Sequence, residues 1–210
     1  MPTSLFFLIF FIINKLLLQS IITKDAIIKA SLDILNRDGI SNLSMRALAK
    51  ELNIKAASLY WHIKGKQDLY DLIAEHINQE IALPETLDDA KEALTTLALE
   101  IRRVLLKTRD AVDIFALSFP STPSRIKAIK FILATLTKYG VSDKNCISAA
   151  NIINNYVLSF VADEIRAKHI SPEEAKQFGL IFGEQYEMSL DFEQQFLYGL
   201  QVILTGLLVE

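Results

Sequence analysis

The spacing of apolar residues constrains the fold of this chain more than any other feature of its sequence. From residue 23 onward they recur at intervals of three and four, and no stretch of strand length alternates apolar with polar residues. The first such run comprises Ile27, Ala30, Ser31, Ile34 and Leu35. This periodicity lines one face of an α-helix. The sequence therefore predicts an all-α fold.

Length and composition favour a folded helical protein of two unequal parts. The 210 residues are 51% hydrophobic and 22% charged, with only 7 Gly and 5 Pro, which excludes a disordered or loop-rich chain. We predict a smaller domain at residues 22–82 and a larger one at 83–210. The single cysteine, Cys146, has no intramolecular disulfide partner; we expect it to be buried and the protein to be cytoplasmic.

Residues 1–21 form an apolar extension with several possible meanings. Leu5 to Ile13 is an uninterrupted apolar run, but no basic residue precedes it and no small-residue cleavage site follows, which disfavours a secretory signal. A membrane anchor over residues 5–22 would be interrupted by Asn14 and Lys15. An extra helix packed on the body, or a start codon assigned too far upstream, remains open.

Signals for helix ends divide residues 23–84 into four predicted helices. Thr23 and Gly39 are expected to cap the first, and Ser44 to cap a short second helix. The second helix is predicted to bury Met45, Leu48, Ala49 and Leu52. A turn at residues 53–55 leads into a third helix over residues 56–62, and the fourth runs toward Pro84. The fourth helix is predicted to carry Leu69, Leu72, Ile73, Ile77 and Ile81 on its apolar stripe.

Longer helices are predicted beyond Pro84. Thr86 is expected to cap a helix through residue 107, and a short helix follows at residues 111–117. A loop at residues 120–123 precedes a helix over 125–139, and Ser142 begins a long helix to about residue 168. Another helix begins at Ser171, and the last spans about residues 190–208.

Positive charge is concentrated in the short second and third helices. The whole chain has a formal net charge of −3, yet residues 44–66 carry five basic residues and one acidic residue. Two short helices joined by a tight turn are typical of a helix-turn-helix, whose later helix enters the DNA major groove. Lys55, Ala56, Ala57 and Ser58 begin that helix with small groups that permit close approach, and Tyr60 and His62 can donate to phosphates. We expect Lys50 to be only a solvated charge, and Lys55 and Lys64 could serve solubility equally well.

The segment from Thr23 to Ile77, above all LSMRALAKELNIKAASLYWHIKGKQDL, resembles the DNA-binding domain of the TetR family of transcriptional regulators. The resemblance implies that Arg46 contacts a base, with guanine the base that its planar fork matches, and that Ala56, Ala57 and Ser58 face bases. It also implies that Tyr60 and His62 lie on the DNA and that Lys66 binds a phosphate. Trp61 is expected to pack between helices. Operator DNA is therefore the expected partner.

The last helices indicate a homodimer. One helix-turn-helix of this size, called here the reading head (residues 44–66), covers little DNA. Two reading heads are therefore needed, held about one helical turn of DNA (roughly 34–36 Å) apart. The last helix carries an apolar stripe with Gly199 and Gly206 beside it, and the long helix before it could pair with it, although burial within one chain is the alternative. The predicted dimerisation residues are Ile152, Tyr156, Phe192, Phe196, Leu200 and Ile203.

Residues 108–166 resemble the C-terminal domain of tetracycline-type repressors, notably in TRDAVDIFALSFP and NNYVLSFVADE. Phe115 stands where such repressors place a magnesium-binding histidine, so we expect neither metal nor cofactor, although Asp163 retains an acidic position. The resemblance implies an apolar pocket for a small-molecule effector instead. The predicted lining residues are Ile101, Leu105, Phe115, Ile132, Leu136, Asn151, Asn155 and Phe160.

Other functions fit the sequence less well. Only three histidines occur, with no HExxH, no glycine-rich phosphate loop and no serine or cysteine in a nucleophile motif, so no catalytic residue is predicted. A membrane-tethered DNA-binding sensor that uses residues 5–22 is the main alternative. A helical interaction module without DNA binding is disfavoured by the basic, aromatic third helix.

Overall fold

The computed structural model describes residues 22–85, 88–171, 173, 174, 177, 181 and 191–208. Within these residues the chain is helical and contains no strand, which confirms the all-α prediction. The described helices of four or more residues are α1 (Lys24–Asp38), α2 (Met45–Glu51), α3 (Ala56–Leu59), α4 (Lys66–Gln79), α5 (Ala90–Lys107), α6 (Ala111–Leu117), α7 (Pro123–Tyr139), α8 (Asp143–Ala167) and α9 (Phe192–Gly206). The apolar extension at residues 1–21, Thr86 and Leu87 lie outside the described residues.

Helix α1 forms as its caps and periodicity predict. The Thr23 hydroxyl accepts from the Ala26 amide at 3.1 Å, which satisfies one of the free donors of the first turn. Gly39, with φ of 80°, ends the helix and donates to the Leu35 carbonyl. All five predicted stripe residues are buried, and a single 3₁₀ turn at Ile40–Asn42 follows.

Helices α2 and α3 are short and are joined by a left-handed turn. The Ser44 hydroxyl caps α2 by accepting from the Ala47 amide at 3.1 Å. Asn53 has φ of 52°, a conformation that asparagine tolerates better than most residues, and its amide donates to the Lys50 carbonyl. Leu48, Ala49 and Leu59 are buried, whereas Met45 and Leu52 are only half-buried.

The described chain divides into two compact units, and the division falls within α4. The first unit ends at Leu69 and the second begins at Tyr70. The fourth helix was predicted to continue toward Pro84, but it ends at Gln79. Its stripe residues Leu69, Ile73, Ile77 and Ile81 are buried and Leu72 is half-buried. The predicted boundary after residue 82 remains a prediction.

Two helices of the second unit begin at residues other than those predicted. Helix α5 begins at Ala90 because the Asp89 carboxylate caps it, accepting from the Glu92 amide at 3.0 Å. Helix α7 begins at Pro123 rather than 125, since proline is well suited to the first helical position, where its missing N–H is not needed. Helices α6 and α8 have the predicted bounds within a residue.

A buried ion pair connects α5 with α8. The Arg102 Nε donates to Glu164 Oε2 at 2.8 Å, and the Lys168 Nζ lies 3.2 Å from Glu164 Oε1. Glu164 is only 4% exposed and Arg102 12%, and the guanidinium lies over the Phe196 ring of α9. A buried carboxylate needs such partners because its lost hydration is otherwise uncompensated.

Among the described residues, none of the helices is both long and apolar enough to cross a membrane.

Candidate nucleic-acid interface

The predicted reading helix is shorter than expected and leaves its predicted DNA residues accessible. Helix α3 comprises only Ala56–Leu59, and the chain continues through turns to Ile63. Lys55, Ala57, Tyr60 and His62 are exposed, and Ala56 and Ser58 are half-buried. The exposed residues around α3 therefore include both small and long polar side chains.

The basic side chains of α2, α3 and the turn between them are not neutralised within the described part of the protein. Arg46, Lys50 and Lys55 are exposed and form no ion pair there. The single carboxylate of this segment, Glu51, is bound by Arg37 of α1 through two hydrogen bonds of 2.9 and 3.3 Å. Those bonds lower the pKa of Glu51, so it stays ionised and paired with Arg37. The segment keeps its positive potential as a result.

Trp61 was expected to pack between helices, but its side chain is 89% exposed. The reason is visible in its neighbours, because Leu59 and Ile63 are both buried and lie four residues apart. That spacing turns Trp61 away from the core, and the same spacing was available in the sequence. An exposed indole beside lysines is an additional candidate for DNA contact.

Lys66 lies at the first position of α4, next to backbone amides of a kind that can bind an anion. Its side chain is exposed, as is that of Lys64. The Lys64 amide donates to the Asp68 carboxylate at 2.8 Å, which orders the turn before the helix. Helix N-termini favour phosphate because their amides point outward and the helix dipole is positive there.

The predicted effector residues occupy two different environments in the second unit. Leu105, Phe115 and Leu136 are buried, and Ile101, Ile132 and Phe160 are half-buried. Asn151 and Asn155 instead lie on the exposed face of α8 in the single chain, and their predicted part in an effector pocket stays a prediction. The buried stripe of α8 runs through Ile153, Val157 and Val161, and the two asparagines fall outside it.

A groove of about 830 Å³ lies elsewhere in the second unit. Residues 82–85, one face of α5 and Glu193 line it, and none of the eight predicted effector residues does. Its basic side chains have acidic partners: Arg103 pairs with Glu100 and Lys107 with Glu80. The groove therefore offers little net charge to a ligand.

The predicted dimerisation residues also separate into two groups. Ile152 is exposed, and Tyr156, Phe192 and Ile203 are half-buried. Phe196 and Leu200 are fully buried within the single chain, and their predicted contact with a second copy stays a prediction.

Tyr156 explains the burial of Phe196. Its hydroxyl donates to the Phe196 carbonyl at 2.7 Å, its ring stacks on the Phe196 ring, and burial raises its pKa. Gly199 provides the room for this contact, since a Cβ there would lie 2.8 Å from Tyr156 Cζ.

A polar cluster between α4, α6 and α7 was not identified from the sequence. The Arg125 guanidinium lies 4.9 Å from the Phe115 ring centroid and donates to the Ser118 hydroxyl, and burial lowers its pKa although Asp71 acts to raise it. The Asp71 carboxylate accepts from the Phe119 amide at 2.8 Å. Apolar periodicity carries no signal for such a cluster.

Glu75, one turn after Asp71, connects α4 to the start of α7. Its carboxylate accepts from the Ser124 hydroxyl at 2.7 Å and from the Ser124 amide at 3.0 Å. Burial tends to raise the pKa of Glu75, but hydrogen bonds such as those from the Ser124 hydroxyl and amide outweigh it, and the pKa is lowered. The loop at residues 118–122 is thereby attached to α4 at both of its ends.

Two protein-family models match this chain, one for each part. The model "Bacterial regulatory proteins, tetR family" matches residues 27–73, and "Tetracyclin repressor-like, C-terminal domain" matches residues 83–210.

Individual relatives agree with these matches. An HTH-type transcriptional regulator of Saccharopolyspora erythraea is 32% identical over 72% of this chain and 64% of its own length. The class D tetracycline repressor of Escherichia coli is 28% identical over 90% of both chains. Among solved structures, BioQ with its double-stranded DNA operator has a TM-score of 0.69 and 27% identity over 90% of this chain and 99% of its own. The chain belongs to the TetR family of bacterial transcriptional regulators, and its C-terminal part is of the tetracycline-repressor type.

Proposed function

We propose that this protein is a repressor that binds operator DNA as a homodimer and releases it when a small, largely apolar effector binds the second unit. The observation that carries the proposal is the surface of α2 and α3. It presents basic side chains without carboxylate partners next to exposed aromatic residues, and Tyr60 is 53% exposed. BioQ, a relative in fold, is known with its operator DNA. We therefore expect the protein in the cytoplasm, where operator DNA is found.

Within the reading head, the charge and size of each side chain suggest whether it contacts bases or phosphates. Arg46 supplies a planar fork that matches the acceptors of guanine. Ala56, Ala57 and Ser58 allow α3 to approach base edges closely, because none of them has a long side chain. Lys55, Tyr60, His62 and Lys66 donate to phosphates and fix the position on the duplex, and the exposed Trp61 indole can add a further donor.

An exposed apolar surface on α8 and α9 supports the dimer. Ile147, Ile152, Tyr198 and Val202 are exposed, and Tyr198 is 73% exposed. Exposed large apolar side chains are typical of a subunit interface when they lie together in one patch. Tyr156, Phe192 and Ile203 extend this surface, whereas Phe196 and Leu200 support it from within the chain. A molecular mass corresponding to a monomer at micromolar concentration would contradict the dimer.

The effector site is proposed around the interior residues Leu105, Phe115 and Leu136, with the half-buried Ile101, Ile132 and Phe160 at its edge. The class D relative is named for tetracycline, but Phe115 cannot bind a metal as histidine does, so a magnesium chelate is not expected here. An effector that favours the non-binding state by about 1–3 kcal/mol would reduce DNA affinity about 5- to 150-fold.

A direct test uses DNA from the region upstream of the protein's own gene. Wild-type protein is expected to retard this fragment in a gel-shift assay and to ignore an unrelated fragment of equal length. Tyr60→Ala is expected to abolish binding, with unchanged far-ultraviolet circular dichroism and unchanged dimer mass. Tyr60→Phe, which keeps the ring and loses the hydroxyl, should bind with intermediate affinity.

The outcomes of this assay separate the two parts of the proposal. Full binding by Tyr60→Ala would remove Tyr60 from the interface. Failure of the wild-type protein to select any fragment from its own genetic neighbourhood would contradict the repressor function.

A further inference from the structure

Arg125 of α7 differs from the other arginines of the second unit in having no acidic partner at ion-pair distance among the described residues. Arg102, Arg103 and Arg166 pair with Glu164, Glu100 and Asp163, and Arg109 lies near Asp110. Arg125 is half-buried, and its one hydrogen bond in the described structure uses a single N–H group to reach the Ser118 hydroxyl. Most of its five donors are thus not engaged by protein groups.

The environment of Arg125 makes this charge costly to keep. The guanidinium lies over the Phe115 ring, and Phe115 itself is buried. Burial lowers the pKa of Arg125 even though Asp71 acts in the opposite direction, so desolvation exceeds the compensation that the protein provides. Proteins rarely bury a charge without a partner, and an under-compensated guanidinium favours an added anion.

The surroundings indicate which kind of anion fits. Ser118 is flanked by the exposed apolar side chains Leu117 and Phe119, and Ile129, one turn beyond Arg125 on α7, is exposed as well. A ligand held at Arg125 would therefore have apolar surface available on more than one side. A planar guanidinium fork matches the two oxygens of a carboxylate.

We propose that the effector is an amphipathic carboxylate, whose carboxylate group pairs with Arg125 while its apolar body packs against Phe115 and the side chains beside Ser118. This inference rests on the proposed function, because it assigns a ligand class to the effector site of the second unit. Phe115 belongs both to the effector site of the proposed function and to the carboxylate site inferred here. Arg125 is the residue that this inference adds, as the anchor of the carboxylate.

The position of Asp71 indicates how such a ligand acts on the protein. Asp71 is the acidic group that acts on Arg125 electrostatically, and it also holds the Phe119 amide. A bound carboxylate brings a second negative charge close to Asp71, and the repulsion disfavours the position from which Asp71 accepts from the Phe119 amide. The attachment of the 118–122 loop to α4 is weakened as a result. Helix α4 begins at Lys66, a proposed phosphate contact, so a change along this helix reaches the reading head through continuous chain.

The test measures ligand binding to the full-length protein by isothermal titration calorimetry in the absence of DNA. The probes are octanoate and 4-phenylbutyrate, each compared with its own primary amide, which keeps the apolar body and removes the charge. Wild-type protein is expected to bind at least one carboxylate about tenfold or more tightly than its amide. Arg125→Gln should abolish this preference, and Arg125→Lys, which keeps the charge but loses the fork, should retain part of it.

Lys127→Gln is the matched control, since Lys127 is an exposed lysine of the same helix and should leave the preference unchanged. Thermal unfolding of each variant identifies any loss of folding, and the Arg125→Lys variant keeps the test valid if Arg125→Gln is unstable. Equal affinity for carboxylate and amide, no binding of either carboxylate, or an unchanged preference in Arg125→Gln would overturn the proposal.

A separate gel shift with the preferred carboxylate distinguishes this inference from the proposed function. Ligand binding with the Arg125 dependence described, but without DNA release, would support the ligand class and contradict its role as effector. Absence of DNA binding by the unliganded protein would contradict the repressor function and leave the calorimetric result valid.

Discussion

The α2–α3 segment of the first unit and helix α5 of the second unit differ in how their basic side chains are matched. In the first unit, Arg46, Lys50 and Lys55 are exposed and have no carboxylate partner among the described residues. In the second, Arg102, Arg103 and Lys107 of α5 have acidic partners, and the pair of Arg102 with Glu164 is buried. Unpaired charge costs little at a surface and attracts a polyanion, whereas charge in a helical core must be matched internally. The unpaired charges of the first unit therefore favour DNA binding, whereas the buried pair of the second unit contributes to its stability.

The largest expected effect is on stability, from breaking the buried ion pair. Glu164→Ala leaves Arg102 and Lys168 without their carboxylate and is expected to lower the free energy of unfolding of the second unit by about 3–5 kcal/mol. Glu193 is the matched control, because it lies 3.7 Å from the same arginine but is 68% exposed. Glu193→Ala should cost about 1 kcal/mol or less. Urea denaturation followed by circular dichroism measures both, and equal losses would refute the contrast between buried and exposed charge.

A smaller loss is expected from a methyl group added to α9. Gly199→Ala places a Cβ against the Tyr156 ring and should destabilise the protein by about 1–3 kcal/mol through overpacking. Gly206, on the same helix, has no atom within 4 Å of an added Cβ. Gly206→Ala should be neutral or stabilise by up to about 1 kcal/mol. Thermal unfolding compares the two variants, and equal stability would mean that Tyr156 does not approach Gly199 as described.

The smallest expected change separates two serines at helix N-termini, one in each unit. Ser44→Ala removes the hydroxyl that caps α2 and should cost about 1 kcal/mol. Ser142→Ala should cost almost nothing, because the Ser142 side chain makes no capping hydrogen bond to α8. Hydrogen exchange of the Ala47 amide provides a local readout. Unchanged protection of this amide in Ser44→Ala would contradict the role of the cap.

Helix ends and buried faces were predicted more accurately in the first unit than in the second. Local signals were sufficient in the first unit, where Thr23, Gly39 and Ser44 cap helices as expected and the stripe of α1 is buried. Trp61 was misplaced because its packing between helices was taken from the family resemblance and not from the spacing of its neighbours. The one-turn spacing of Leu59 and Ile63 would have corrected this.

Prediction was poorer in the second unit because its outcome depends on contacts between distant residues. The stripe of α9 was correctly located, but whether it faces a second chain or its own chain depends on Tyr156, about 40 residues earlier, whose hydroxyl binds the Phe196 carbonyl. Asn151 and Asn155 are exposed for a similar reason, since the rotation of α8 is set by its packing on α5 and α7. Periodicity identifies an apolar face but not its partner.

The salt dependence of operator binding tests most directly whether basic side chains of the first unit, Lys55 among them, bind DNA phosphates. Fluorescence anisotropy with DNA from upstream of the gene should show log affinity falling linearly with log salt concentration, with a slope of about −0.9 per phosphate contact. Lys55→Gln should make the slope shallower by about one unit, and Lys130→Gln, an exposed lysine of α7, should not change it. Affinity that is insensitive to salt, or an equal change of slope in both variants, would contradict the account.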